Sequence, residues 1–202
     1  MPTKQTEGGI TIVLKDNATK EINKIQRKAR NHGFYMDPIF DEMKRNLERA
    51  MTSFSLQIGE ETKNMLKNRV PYDNSPTREF DRKHGQHKKH LRDTVTKKMK
   101  NKGKYTVEIF VGWEREYKKI AQLVNDGASG HMINAKDKAL AIPIPTSPQG
   151  SRGSEGVAYI KDGVFHPGFE GRHFIDMTYQ EISLTIGQRF KNCLDAASGF
   201  SK

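Results

Sequence analysis

The stretch DPIFDEMKRNLERAMTSFSLQIGEETKNMLKNRV, Asp37 to Val70, sets the architecture of this chain. Pro38 occupies a first-turn position where its missing N–H costs nothing, and Phe40, Met43, Leu47, Met51, Phe54 and Ile58 then recur every three or four residues. The period weakens through Met65 and Leu66 and stops at Val70, because Pro71 disfavours helix in the residue before it. The spacing predicts one amphipathic helix of roughly 30 residues, about 45 Å long. A Met and Phe stripe of this kind reads as a packing seam rather than a ligand pocket, and it requires a surface to pack against.

The flanking sequence supplies that surface. Tyr105 to Trp113 alternates strictly, with Tyr105, Val107, Ile109, Val111 and Trp113 on one face, and predicts a strand. Glu114 to Asn125 has helical spacing through Tyr117, Ile120, Ala121 and Val124, with Gly127 placed for a left-handed stop. Ala139 to Ile144 and Val157 to Phe165 are β-prone, the first halted by Pro143 and Pro145, the second turned at Asp162-Gly163; TSPQGSRGSEG between them has the composition of a flexible loop. Gly171 to Ala197 returns to helix through Ile175, Ile182, Ile186, Phe190 and Leu194. Before the long helix, Ile10 to Leu14 is a short β-prone run, and Asp16 or Asn17 caps a basic helix reaching about Arg30, stopped at Asn31-His32-Gly33.

This order predicts an α+β fold, with a long N-terminal helix and a C-terminal helix packed on a small, mainly antiparallel sheet. A length of 202 residues fits one domain. Within it, 1–35 reads as a strand and helix extension, 37–70 as the long helix, 71–104 as a basic loop or arm with a short helical piece near 87–100, 105–168 as the sheet region and 169–198 as the terminal helix.

Charge is unevenly distributed. Residues 63–104 hold 14 Lys and Arg against 4 Asp and Glu, a balance of +10 in a chain whose total is +11. Such a block favours an acidic partner, nucleic acid or protein. Arg78, Arg82, Lys83, Lys88, Lys89, Arg92, Lys97, Lys98 and Lys100 are its candidate partner-binding residues. Only Tyr72 and Phe80 accompany them, so no aromatic platform for stacking bases is present and any DNA contact is expected at phosphates, independent of sequence. Sequence-independent DNA binding through 63–104 is thus the alternative function. The single Cys193 excludes an internal disulfide and suits a small buried hydrophobe. With no apolar run of bilayer length and no signal-peptide core after MPTKQTEGG, no membrane association is expected, and the chain is expected in a cytoplasm.

The segment HGQHKKH places His84, His87 and His90 at spacings of three, the candidate metal ligands of the chain. Arg82, Lys83, Lys88 and Lys89 surround them and oppose a divalent cation, so a solvated surface is the favoured interpretation. Acidic residues such as Asp41, Glu42, Glu48, Glu60 and Glu61 are scattered rather than clustered for magnesium, and no phosphate loop, nucleophile elbow, HExxH or paired CxxC occurs. No enzyme activity and no cofactor are expected.

VPYDNSP at Val70 to Pro76, followed by HLRDTV at His90 to Val95, resembles a signature of the tail-completion and head-tail joining proteins of long-tailed bacteriophages, in which a long helix leads into a Pro-Asp-Thr-Gly type turn and then Leu-Arg-x-Ser. FVGW at Phe110 to Trp113 stands where that family has a strand ending in Val-Gly, followed by Tyr117 and by LVNDGAS at Leu123 to Ser129. HPG at His166 to Gly168 and HFI at His173 to Ile175 resemble its entry to the last helix. Asn74 and Ser75 depart from the Thr-Gly of the turn, and the insertion TREFDRKHGQHKK separates two motifs that are normally close. The resemblance covers about Asp37 to Ala197. It implies a virion protein of the tail or neck, assembled in the host cytoplasm as a homo-oligomeric ring, expected to be a hexamer. Its implied partners are the tail tube or tail terminator on one side and the head connector proteins on the other, with packaged DNA phosphates within reach.

Overall fold

The computed structural model describes residues 3–71, 90–103, 105–134, 140–144, 156–161 and 163–199. The architecture is α+β, with helices laid on one face of a small antiparallel sheet. The chain forms two compact units, one of residues 1–125 with 173–202 and one of residues 126–172, where a single domain is expected from length.

In the first unit the sheet has the order β1-β2-β4-β3, with β1 Thr3–Thr6, β2 Gly9–Lys15, β3 Thr96–Asn101 and β4 Thr106–Gly112. The two central strands pair over seven residues, from Gly9 opposite Gly112 to Lys15 opposite Thr106. Their alternation puts Ile10, Ile12, Leu14, Val107, Ile109 and Val111 on one buried face. α2 (Asp37–Arg69) covers that face with the stripe predicted for it: Phe40, Leu47, Met51, Phe54 and Ile58 are buried and Met43 and Met65 half-buried. α4 (Phe174–Ser198) lies beside it and buries Ile175, Ile182, Ile186, Phe190 and Leu194. The Phe54 and Phe190 rings meet with centroids 5.3 Å apart. Gly59 lets α2 approach the strands closely, since a Cβ there would stand 3.2 Å from Ile109 Cγ2 and 2.8 Å from Lys97 Cδ.

Two expectations change in this unit. Residues 1–35 are not an extension: β2 is a central strand, and the polar start Thr3–Thr6, unmarked by apolar alternation, pairs with it through a hairpin at Glu7-Gly8. α1 (Ala18–Asn31) follows, started by Asp16, whose carboxylate accepts the Thr19 N–H at 3.0 Å and the Thr19 hydroxyl, while Asn17 makes no such bond. The second half of the expected basic arm is neither loop nor α-helix. A 3₁₀ turn at Leu91–Thr94 leads into β3, whose pairing with β4 runs from Thr96 opposite Gly112 to Asn101 opposite Val107. The lysines of TKKMKN hide the strand from an apolar pattern because β3 is the sheet edge, where charge is tolerated and blocks unwanted pairing.

α3 (Glu116–Asp126) ends at Gly127, which is left-handed at φ 83° as predicted. The second unit is a set of nested antiparallel pairs: β5 Gly127–Ala128 with β10 Phe169–Glu170, β6 His131–Ile133 with β9 Val164–His166, and β7 Leu140–Ile144 with β8 Gly156–Ile160. The sheet region expected as one block over 105–168 is therefore divided, with β4 in the first unit and these ladders in the second. No helix among the described residues is long and apolar enough to cross a membrane.

Candidate functional site

The nine basic residues singled out by sequence divide into two groups. Arg78, Arg82, Lys83, Lys88 and Lys89 lie outside the described residues, as do His84 and His87. Arg92, Lys97, Lys98 and Lys100 are described, and the two middle lysines are engaged in ion pairs. Lys97 reaches Glu60 of α2 at 2.7 Å, Lys98 reaches Glu114 at 2.6 Å, and Arg92 donates to Asn68 at 3.4 Å. Lys63 and Lys102 are held by Glu60 and Glu108, and Arg69 by Glu181. The Lys97 ammonium pulls the Glu60 carboxyl below the usual carboxylate range, against the opposing effect of burial. Lys100 stands in no ion pair among the described residues.

His90 is not the solvated surface residue expected of it; it is buried at the entrance to the 3₁₀ turn, where its carbonyl accepts the Asp93 N–H at 2.9 Å. Among the described residues no group of three or more His, Cys, Asp or Glu is arranged to hold a metal. On the outer face of the sheet a shallow depression of about 720 Å³ is bordered by Thr6, Thr11, Phe110 and Trp113. Its lysines, Lys98 and Lys118, are each held by a glutamate, Glu114 and Glu7, at 2.6 and 2.5 Å.

The family-like motifs meet in pairs. Trp113, the last residue of FVGW, is fully buried and its Nε1–H donates to the Leu91 carbonyl of HLRDTV at 2.8 Å. The Thr94 hydroxyl donates to the same oxygen at 2.8 Å, so two side chains converge on the Leu91 carbonyl of the 3₁₀ turn. The indole also meets Phe174 of HFI edge-on, with centroids 5.5 Å apart at 74°. Asn125 of LVNDGAS is fully buried and ties the end of α3 to the start of α4. Its Oδ1 accepts the Ile175 N–H at 2.8 Å, its Nδ2 donates to Asp176 at 2.9 Å, and its carbonyl accepts the His173 N–H at 3.0 Å. His173, left-handed at φ 49°, lacks a capping side-chain bond of its own, so Asn125 supplies the helix cap from a distance in sequence. Burial pushes the Asp176 carboxyl up, but hydrogen bonds from Asn125, Gln5 and His173 outweigh it and hold it below its ordinary range. The sequence marks these motifs individually; their spatial pairing depends on bonds between residues 22 and 51 positions apart.

The second unit presents apolar side chains on its ribbons. Met132 and Phe165 face each other across the β6–β9 ladder at 52% and 61% exposure, and Phe169 is 42% exposed. In residues 126–134, 160–161 and 163–172 of this unit none is a buried hydrophobic. His131 and His166 stack across the same ladder with centroids 5.3 Å apart. Comparison with protein-family models, with curated proteins and with solved structures finds no match.

Proposed function

We propose that this chain is a structural virion protein of a long-tailed bacteriophage, acting in tail completion or head-tail joining as a ring, expected to be a hexamer, between the connector and the tail tube or its terminator. The observation that carries the proposal is the second unit. A two-stranded ribbon is marginal in water by itself, and this one exposes Met132, Phe165 and Phe169, with no buried hydrophobic in residues 126–134 and 163–172. Such a ribbon gains its cover from a neighbour, which is what a subunit of an assembly provides. The order of elements supports the same function: the long helix, the strand ending in FVGW, the LVNDGAS helix end and the HFI helix start follow one another as in the family the sequence resembles, and the motifs interlock through Trp113 and Asn125.

Cryo-electron microscopy of virions of the encoding phage tests the proposal, with a ring of this chain expected in the neck. A complete virion without the chain would refute it. In solution, the unaltered protein is expected to form larger species in sedimentation velocity, and Met132→Lys with Phe165→Lys is expected to abolish them while leaving the first unit folded.

A further inference from the structure

We infer that the outward face of α1 is a contact surface for the phosphates of duplex DNA. This inference is independent of the virion proposal and differs from the basic block that charge counting in the sequence selects. α1 is fixed to the first unit by Ile22, Thr19 and Gln26, which are buried along one side. At 100° per residue, the opposite side carries Lys24 and Lys28 at its centre, flanked by Lys20 and Arg27 on one edge and by Glu21 on the other, all exposed. Lys20, Lys24 and Lys28 follow one another about 6 Å apart along the axis, with Arg27 beside Lys28.

The cations on this side are not consumed by the fold. Among the described residues Lys20, Arg27 and Lys28 form no ion pair, and Lys24 has only Glu21, at a loose 3.9 Å. The other acids nearby are occupied: Asp16 caps the helix, and Asp37 takes Arg30 at 2.9 Å and Gln26 at 2.7 Å. Lysines of the sequence block behave in the opposite way, since Lys63, Lys97, Lys98 and Lys102 each meet a glutamate. Lys20–Lys24 and Lys24–Lys28 are like-charge pairs at a four-residue spacing, which destabilise a helix and serve no packing purpose. A row of cations interrupted by one acid, on a rigid element, suits a row of anions. A phosphate backbone offers one charge per 3.4 Å of each strand, whereas an acidic protein surface offers no such repeat.

The test is fluorescence anisotropy of the full chain with a mixed-sequence 20-base-pair duplex at several salt concentrations. Four phosphate contacts contribute a slope of about −3.6 in log K against log salt, a loss of roughly 150-fold between 50 and 200 mM. K20Q/K24Q/R27Q/K28Q is expected to remove that part of the slope, whereas K67Q/K100Q, which removes two cations outside α1, is expected to remove less than half as much. An unchanged slope in the fourfold variant, a larger effect of K67Q/K100Q, or no binding by the unaltered protein at low salt would each overturn the inference. Glutamine preserves helix propensity. If thermal melts nevertheless show the fourfold variant unfolded, the single variants K20Q, K24Q, R27Q and K28Q replace it, each expected to remove about 0.9 of slope.

Discussion

Trp113→Phe and Thr94→Val together probe the joint between FVGW and HLRDTV. The Leu91 carbonyl accepts two side-chain hydrogen bonds, from Trp113 Nε1 and from the Thr94 hydroxyl, each 2.8 Å long. Phenylalanine keeps an aromatic ring near Phe174 but loses the N–H and part of a fully buried volume, so Trp113→Phe is expected to cost about 2 kcal/mol. Thr94 is only half-buried, and its replacement by valine leaves the carbonyl still bonded to the indole, for about 0.5–1 kcal/mol. In the double variant the carbonyl loses both side-chain donors at once and keeps only the poorer N–H bond of its own 3₁₀ turn, so the penalty of an under-satisfied acceptor appears for the first time. The double variant should therefore exceed the sum of the singles by about 1 kcal/mol. Urea unfolding followed by far-ultraviolet circular dichroism measures all four proteins, avoiding the fluorescence of a tryptophan that two of them lack. Additivity within about 0.3 kcal/mol would show that the shared acceptor is not what holds the 3₁₀ turn to the sheet.

Gly112→Ala should be among the most damaging single changes, by about 3 kcal/mol in the same urea assay, because its Cβ would fall 2.3 Å from the Gly8 carbonyl oxygen and 2.6 Å from Gly9 Cα, both backbone. Asp16→Ala removes the acceptor of the Thr19 N–H at the start of α1 and is expected to cost about 1 kcal/mol, readable as a shift of the urea midpoint. Acid sensitivity follows from Asp176 and Glu61, the latter held below the usual carboxylate range by the paired Arg189 N–H donors at 2.7 and 2.9 Å despite its burial. Both are depressed in the folded state, so their stabilisation is present above the ordinary carboxylate pKa of about 4 and is lost as pH falls through the lower folded values. Asp176→Asn with Glu61→Gln should flatten the fall in urea midpoint below about pH 4, and an unchanged acid limb would contradict these roles.

Periodicity revealed those parts of the fold that bury one continuous face. The Phe40 to Ile58 stripe, the Val107 to Val111 alternation and the Ile175 to Leu194 helix are each decided by apolar residues meeting one core, and each lies where the pattern puts it. Edge strands escaped for the complementary reason. Thr3–Thr6 and Thr96–Asn101 border the sheet, bury little on their open sides and carry polar residues and lysine where a central strand needs valine. The pairings through Trp113 and Asn125 escaped because a hydrogen bond between distant segments leaves no local period; a lone Trp after a strand and an Asn before Gly127 were their only signals.

Charge was legible in amount but not in availability. Counting residues 63–104 finds nearly the whole excess of the chain, yet β3 sets Lys97 against Glu60 of α2 and Lys98 against Glu114, partners no nearer than 16 positions in sequence. Edge lysines that meet glutamates of the same fold are screened from an outside partner and become part of its packing. α1 shows the converse: a short segment of modest net charge whose buried face leaves four cations on one side with one acid at its edge. A linear window sums charge, whereas binding depends on which charges the fold leaves unpaired on one rigid face. Only a helix whose buried side is known assigns Lys20, Lys24, Arg27 and Lys28 to a common side, so the surface available to a polyanion emerges with the packing of Ile22 and Gln26 and not before it.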